Sequence, residues 1–181
     1  MGLKEYIFNR TQRKQPERQG RFPHLDQPLK IMLIYESDVL ERNDGIKTIR
    51  QELLRRQMDV TMWGYVAKKE ILTLILPQSR ILGQADYNLL GKPREYVVKD
   101  LQAEHYDLLI DLTTRPLLPL RYLAMLTDAN FKVGLNLGEG LHDMLISLPD
   151  FTPEQGEEAD IEASWLFNQM MNYLTTIKSL D

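Results

Sequence analysis

The stretch His105-Tyr-Asp-Leu-Leu-Ile-Asp-Leu-Thr-Thr-Arg-Pro116 decides the fold. From Leu108 to Leu112 it is apolar except for Asp111, and turn-forming residues follow. A short apolar run bounded in this way predicts a strand buried on both faces, as in a parallel sheet with helices above and below. Such sheets bind ligands outside the carboxyl ends of their strands. Asp111, Thr113, Thr114 and Arg115 leave the strand at that edge and are the first candidates for a site.

Working outward, strand and helix patterns alternate. Leu29 to Tyr35 reads as a strand, and Glu36 to Asp44 as a polar loop. Ile46, Ile49, Leu53 and Leu54 mark one face of a helix running to about Gln57, with Asn43 or Asp44 as its cap. Asp59 to Gly64 is a second strand, and the three elements form a βαβ unit with an expected right-handed crossover. Ala67 to Leu76 is read as a helix because good helix formers lead it, although its apolar run is also short enough for a strand. Ile81 to Tyr87 is expected as a short strand and Glu95 to Ala103 as a helix. Pro116 and Pro119 introduce another helix, followed by a strand over Phe131–Leu135. A last strand is expected over Met144–Leu148, then a helix start at Thr152-Pro153 and a long terminal helix from Ile161. This alternation predicts an α/β protein: a three-layer sandwich, Rossmann-like, with a mostly parallel sheet and helices on both faces. Residues 29–181 are expected to form a single domain preceded by a basic amino-terminal arm, residues 1–28.

Composition narrows the function classes. Of 181 residues, 43% are hydrophobic and 27% charged, values that exclude wholesale disorder. With no cysteine, the chain has no disulfide, thiol nucleophile or cysteine-ligated metal. The start lacks the apolar core of a signal peptide, and no segment approaches the ~20 apolar residues of a bilayer span, so a cytoplasmic protein without membrane contact is expected. The net charge of -4 is unevenly spread. Lys4, Arg10, Arg13, Lys14, Arg18 and Arg21 face only Glu5 and Glu17 in the first 21 residues, while residues 150–162 carry six acids and no base. Docking on the chain's own acidic surface is favoured over nucleic acid, because no aromatics interleave the basic residues.

Glu36, Ser37 and Asp38 leave the first strand into the same crevice. A carboxylate there can serve as a base or as a ligand contact, or simply bond loop amides. Asp111 is the sharpest single residue, since an ionised group in an apolar strand is costly unless bonded or exposed. Arg115 can hold a carboxylate or phosphate through two parallel hydrogen bonds. Asn43-Asp-Gly45 is read as a capped helix start and not as a phosphate loop; neither GxGxxG nor GxxxxGK[ST] occurs, and no cofactor is expected. Gly134, Gly138, Glu139, Gly140, His142 and Asp143 form the one cluster with an acid–base or metal flavour, but a glycine-rich turn is the favoured reading and no metal is expected. His24 and His105 read as isolated surface residues.

Tyr106-Asp-Leu-Leu-Ile-Asp-Leu112, Leu120-Arg-Tyr-Leu-Ala124 and Ala129-Asn-Phe-Lys-Val-Gly134 resemble the amino-terminal, Rossmann-like half of heptosyltransferase-type glycosyltransferases. Over its full length the chain more closely resembles a family of short bacterial proteins of unknown function. The glycosyltransferase likeness implies an acceptor-side crevice. Glu36-Ser37-Asp38 stands where that family has a Gly-Asp loop with a catalytic aspartate, and the donor-binding second domain has no counterpart here.

The expectation is therefore a non-catalytic module that binds a small polar or anionic ligand, or a protein, through Glu36, Ser37, Asp38, Asp111, Thr113, Thr114 and Arg115. The alternative is a glycosyltransferase-like or nucleotide- or sugar-phosphate-processing enzyme using a carboxylate at the strand edge. Trp165, Leu166, Phe167, Met170 and Met171 make the terminal helix broader on its apolar side than one core contact needs, which predicts a homodimer through that helix.

Overall fold

The computed structural model describes residues 2–37, 41–67, 78–137, 140–147 and 162–177, with only the backbone of 41–43. The elements in chain order are α1 (Leu3–Gln12), β1 (Lys30–Glu36), α2 (Glu41–Arg55), β2 (Asp59–Tyr65), β3 (Ser79–Leu82), α3 (Glu95–Gln102), β4 (Tyr106–Asp111), α4 (Leu118–Leu126), β5 (Ala129–Leu135), β6 (Met144–Ile146) and α5 (Ala163–Thr176). The six strands form one sheet in the order β3-β2-β1-β4-β5-β6, and every pairing is parallel. In register, Ile31 lies beside Leu108 and Ile34 beside Asp111, so β1 and β4 are the two central strands.

Because successive side chains point to opposite faces, each central strand feeds two cores. Ile31, Leu33, Leu108 and Ile110 join Ile46, Ile49 and Leu53 of α2 and Leu166, Phe167, Met170 and Leu174 of α5. Met32, Ile34 and Leu109 join Phe8 of α1, Val97 and Leu101 of α3, and Leu120, Tyr122 and Leu123 of α4. Each fully buried side chain of this kind contributes about 1.5–3 kcal/mol. The sheet thus has helices on both faces, which is the three-layer sandwich expected from the Leu108–Leu112 run.

The departures have local causes. The helix expected after Asn43 or Asp44 begins earlier, at Glu41. Asp44 therefore sits inside the helix: it bonds Lys47 one turn on, and its carbonyl accepts from Thr48 Oγ1. It caps nothing, and Gly45 lies at an interior position where it faces Ala163. The strand expected over Ile81–Tyr87 stops at Leu82, because the Asp86 carboxylate accepts the Gly83 N–H at 2.7 Å and closes a 3-10 turn over Gln84–Asp86. Leu3 is exposed, unlike Phe8, so α1 anchors through its second turn. His105 is a surface residue but not an isolated one: its ring nitrogens bond Asp128 at 2.9 Å and Asn130 at 3.1 Å.

The helix expected over Ala67–Leu76, the end of the strand at Leu148 and the helix start at Thr152-Pro153 lie outside the described residues. In α5, Leu166, Phe167, Met170 and Met171 are all buried within the chain, while Trp165, Tyr173 and Ile177 are exposed. The breadth of the apolar side is thus taken up largely by the chain's own core. No described helix is long and apolar enough to cross a membrane.

The arm runs back over the sheet. An Arg18 Nη donates to Ala129 O at 2.6 Å and to Asp143 Oδ2 at 3.2 Å, and the Arg21 N–H donates to Asn130 O at 2.9 Å. Phe22 meets Phe131 edge-on, with ring centroids 5.2 Å apart.

Candidate functional site

The chain leaves β1 towards β2 and β3 on one side, and leaves β4 towards β5 and β6 on the other. By topology that reversal marks the carboxyl ends of the two central strands as the crevice position, the place where α/β sheets bind ligands. Glu36 and Ser37 enter it from β1; Asp111, Thr113, Thr114 and Arg115 enter it from β4. Asp38 lies outside the described residues.

Glu36 is buried, and Arg115 reaches it from the facing loop. Arg115 Nε donates to Glu36 Oε2 at 2.9 Å, and Arg115 Nη2 donates to the other oxygen. This planar two-bond pairing gives the buried carboxylate a counter-charge and fixes its orientation. Replacing Arg115 with Lys keeps the charge and loses the fork; we expect a loss of about 1 kcal/mol, read by urea denaturation.

Asp111 uses both oxygens. Oδ1 accepts the Thr113 N–H at 2.9 Å, closing a turn at the strand's end. Oδ2 lies 2.9 Å from His142 Nε2, with the two side chains only 8% and 6% exposed. His142 comes from the connection after β5 and lies flat against Gly134: a Cβ built on that glycine would stand 2.6 Å from Nε2. Gly134, His142 and Asp111, which the sequence presents as two unrelated candidates, are one unit. Asp143 faces away from this unit; its carboxylate accepts the Lys132 N–H at 2.8 Å and the Arg18 guanidinium. Glu139 and Gly138 lie outside the described residues, and Gly140 adopts φ +61° in a loop that is not helical. Ser37 donates its N–H to Tyr65 O at 2.8 Å. Its hydroxyl and that of Thr113 are buried and have no partner among the described residues. Thr114 is half-buried at the rim. No three His, Asp or Glu side chains come together as metal ligands among the described residues.

One group escaped sequence reasoning. Lys132 is 1% exposed, on the face of β5 opposite Phe131 and Val133. Its Nζ donates to Ala124 O at 2.7 Å and Met125 O at 3.4 Å, near the end of α4. Burial, and then the positive charge of Arg18, push the ammonium down to about 7, against smaller opposing effects of Asp143 and Asp128. A strand covered on both faces has no outward side for a lysine, but only the sheet order shows that β5 is such a strand.

No curated protein and no solved structure matches the chain. The likeness to heptosyltransferase-type glycosyltransferases therefore rests on the three segments between Tyr106 and Gly134 alone. A family model does match, over residues 2–177, nearly the whole chain including the arm and α5. The protein belongs to this family, described as a family of unknown function (DUF6913).

Proposed function

We propose that the protein is a non-catalytic binding module which holds a small polar or anionic ligand in the crevice between β1 and β4. The observation that carries this reading is the pair of buried hydroxyls, Ser37 Oγ and Thr113 Oγ1, that find no partner among the described residues where the two central strands end. A buried hydroxyl without a hydrogen bond costs about 1–3 kcal/mol, and a hydrogen-bonding ligand recovers it. The surrounding charges suit binding more than reaction. Glu36 is tied to Arg115, and both oxygens of Asp111 are engaged within the chain, so each carboxylate already serves a structural contact. Residues 29–181 form the binding unit on this reading, the arm closes over its β5 side, and the compartment is the cytoplasm.

The competing reading is an enzyme of the sugar- or nucleotide-processing kind. The Asp111–His142 pair favours it, because a carboxylate that fixes one imidazole nitrogen leaves the other to act as a base. In that case the base is His142 and not Asp111.

Thermal shift against nucleotides, sugar nucleotides and inorganic phosphate separates these readings. A true ligand at a hundred times its Kd stabilises by about 2.7 kcal/mol, or roughly 5–10 °C for a chain of this size. Asp111→Asn disturbs the Thr113 turn beside the crevice and should remove most of that increment, measured from the variant's own melting temperature. Absence of a shift with every compound rejects the binding reading. Turnover of a shifting compound, lost in His142→Gln, favours the enzyme.

A further inference from the structure

A second site shares His142 with the crevice but rests on different groups, Lys132 and Arg18. A cavity of about 400 Å³ opens between the arm and the connection before β6, lined among others by Gln12, Gln15, Arg18, Lys132, His142 and Asp143. Lysine is almost never fully buried without a counter-ion. Here no described carboxylate pairs with Nζ, whose acceptors are two backbone carbonyls. A neutral amine has two N–H donors and one lone pair, so two carbonyl acceptors suit the neutral form and leave the lone pair unused. Arg18 adds the complementary feature. Its contacts to Ala129, Asn130 and Asp143 all use one terminal nitrogen, so its other N–H groups have no acceptor among the described residues.

We propose that Lys132 is a carbonyl-reactive amine, and that the cavity takes a small acid carrying an aldehyde or ketone beside its carboxylate. Arg18 holds the carboxylate through the N–H groups it does not use within the chain. The Lys132 lone pair adds to the carbonyl carbon and a nitrogen proton passes to the carbonyl oxygen. The hydroxyl so formed then leaves as water, taking the second nitrogen proton, while the C=N bond forms. No redox partner is needed. The desolvation that holds the ammonium down to about 7 keeps a large share of the amine neutral near neutral pH. Exposed lysines, with ordinary values near 10.4, remain almost wholly protonated there. A desolvated lysine next to a second cation is the general setting for such a nucleophile.

The test uses the whole chain. Glyoxylate is added at pH 7 with sodium borohydride, which reduces any imine to a stable secondary amine, and the adduct is mapped by peptide mass spectrometry. Label concentrated on Lys132, with glyoxylate about tenfold ahead of uncharged propionaldehyde, is the expected result, since one charge-assisted contact is worth about that factor. Label spread over the exposed lysines with none on Lys132 overturns the proposal. Arg18→Gln, altered at a solvent-reaching position, should erase the preference for glyoxylate while leaving propionaldehyde labelling of Lys132 in place. An unchanged preference removes Arg18 from the site.

Discussion

Lys132→Met is expected to make the protein more stable than the wild type at pH 6 and less stable at pH 10. The lysine has an unfolded value near 10.5 and a folded value of about 7, so between them the unfolded chain binds a proton that the folded chain does not. Wild-type stability must then rise as the pH climbs through that window, by on the order of 4–5 kcal/mol, and the full penalty applies below pH 7. Methionine has nearly the same length and no charge, so it removes the penalty. It also abandons the carbonyls of Ala124 and Met125, at about 1–3 kcal/mol. The balance is a gain of roughly 2 kcal/mol at pH 6, near 5 °C, and a loss of similar size at pH 10. Arg18 from the arm, His142 and Asp143 from the connection before β6, and Asp128 from the turn before β5 surround the group. The measured quantity is therefore the difference between variant and wild type by urea denaturation at pH 6, 8 and 10. A difference that does not change with pH would show that Lys132 keeps its proton throughout.

Gly134→Ala should be strongly destabilising. The new Cβ would lie 2.6 Å from His142 Nε2, 2.7 Å from Cε1 and 2.9 Å from Cδ2, closer than real carbons approach. The ring has no easy retreat, because it is buried and bonded to Asp111. Overpacking costs about 1–3 kcal/mol, and Asp111 left with an unpaired buried oxygen adds about 1–3 more. We expect a fall of roughly 10 °C in melting temperature for a total near 4 kcal/mol. His142→Ala on its own also leaves Asp111 unpaired. In the double variant, however, the methyl occupies space the ring has left, so the two losses should overlap by about 1–3 kcal/mol. Strict additivity would mean that the ring is not held where the structure places it.

The central layer was legible because its signal is dense. Leu108–Ile110 and Ile31–Ile34 are apolar at every position that two covered faces require, and each emerged within a core strand. The crevice residues were legible for the same reason, since a charge at the end of such a run has few places to go. The pairing of Asp111 with His142 was not, because 31 residues separate them and only the β4–β5 pairing brings them together. Lys132 was passed over because Phe-Lys-Val-Gly-Leu reads equally well as a strand with one outward residue. Only the position of β5 as an interior strand removes the outward side. Asp44 misled by its type: a good cap residue was outweighed by helix formation that starts earlier and by its own pairing with Lys47.

The docking of the arm has a consequence for how the chain is made. Arg18 and Arg21 take their partners from Ala129, Asn130 and Asp143, more than a hundred residues downstream. During synthesis the arm emerges well before the residues it pairs with and is thus among the later segments to find its place. Until β5 has emerged, Arg18 and Arg21 lack these acceptors, so docking of the arm waits on the second half of the sheet.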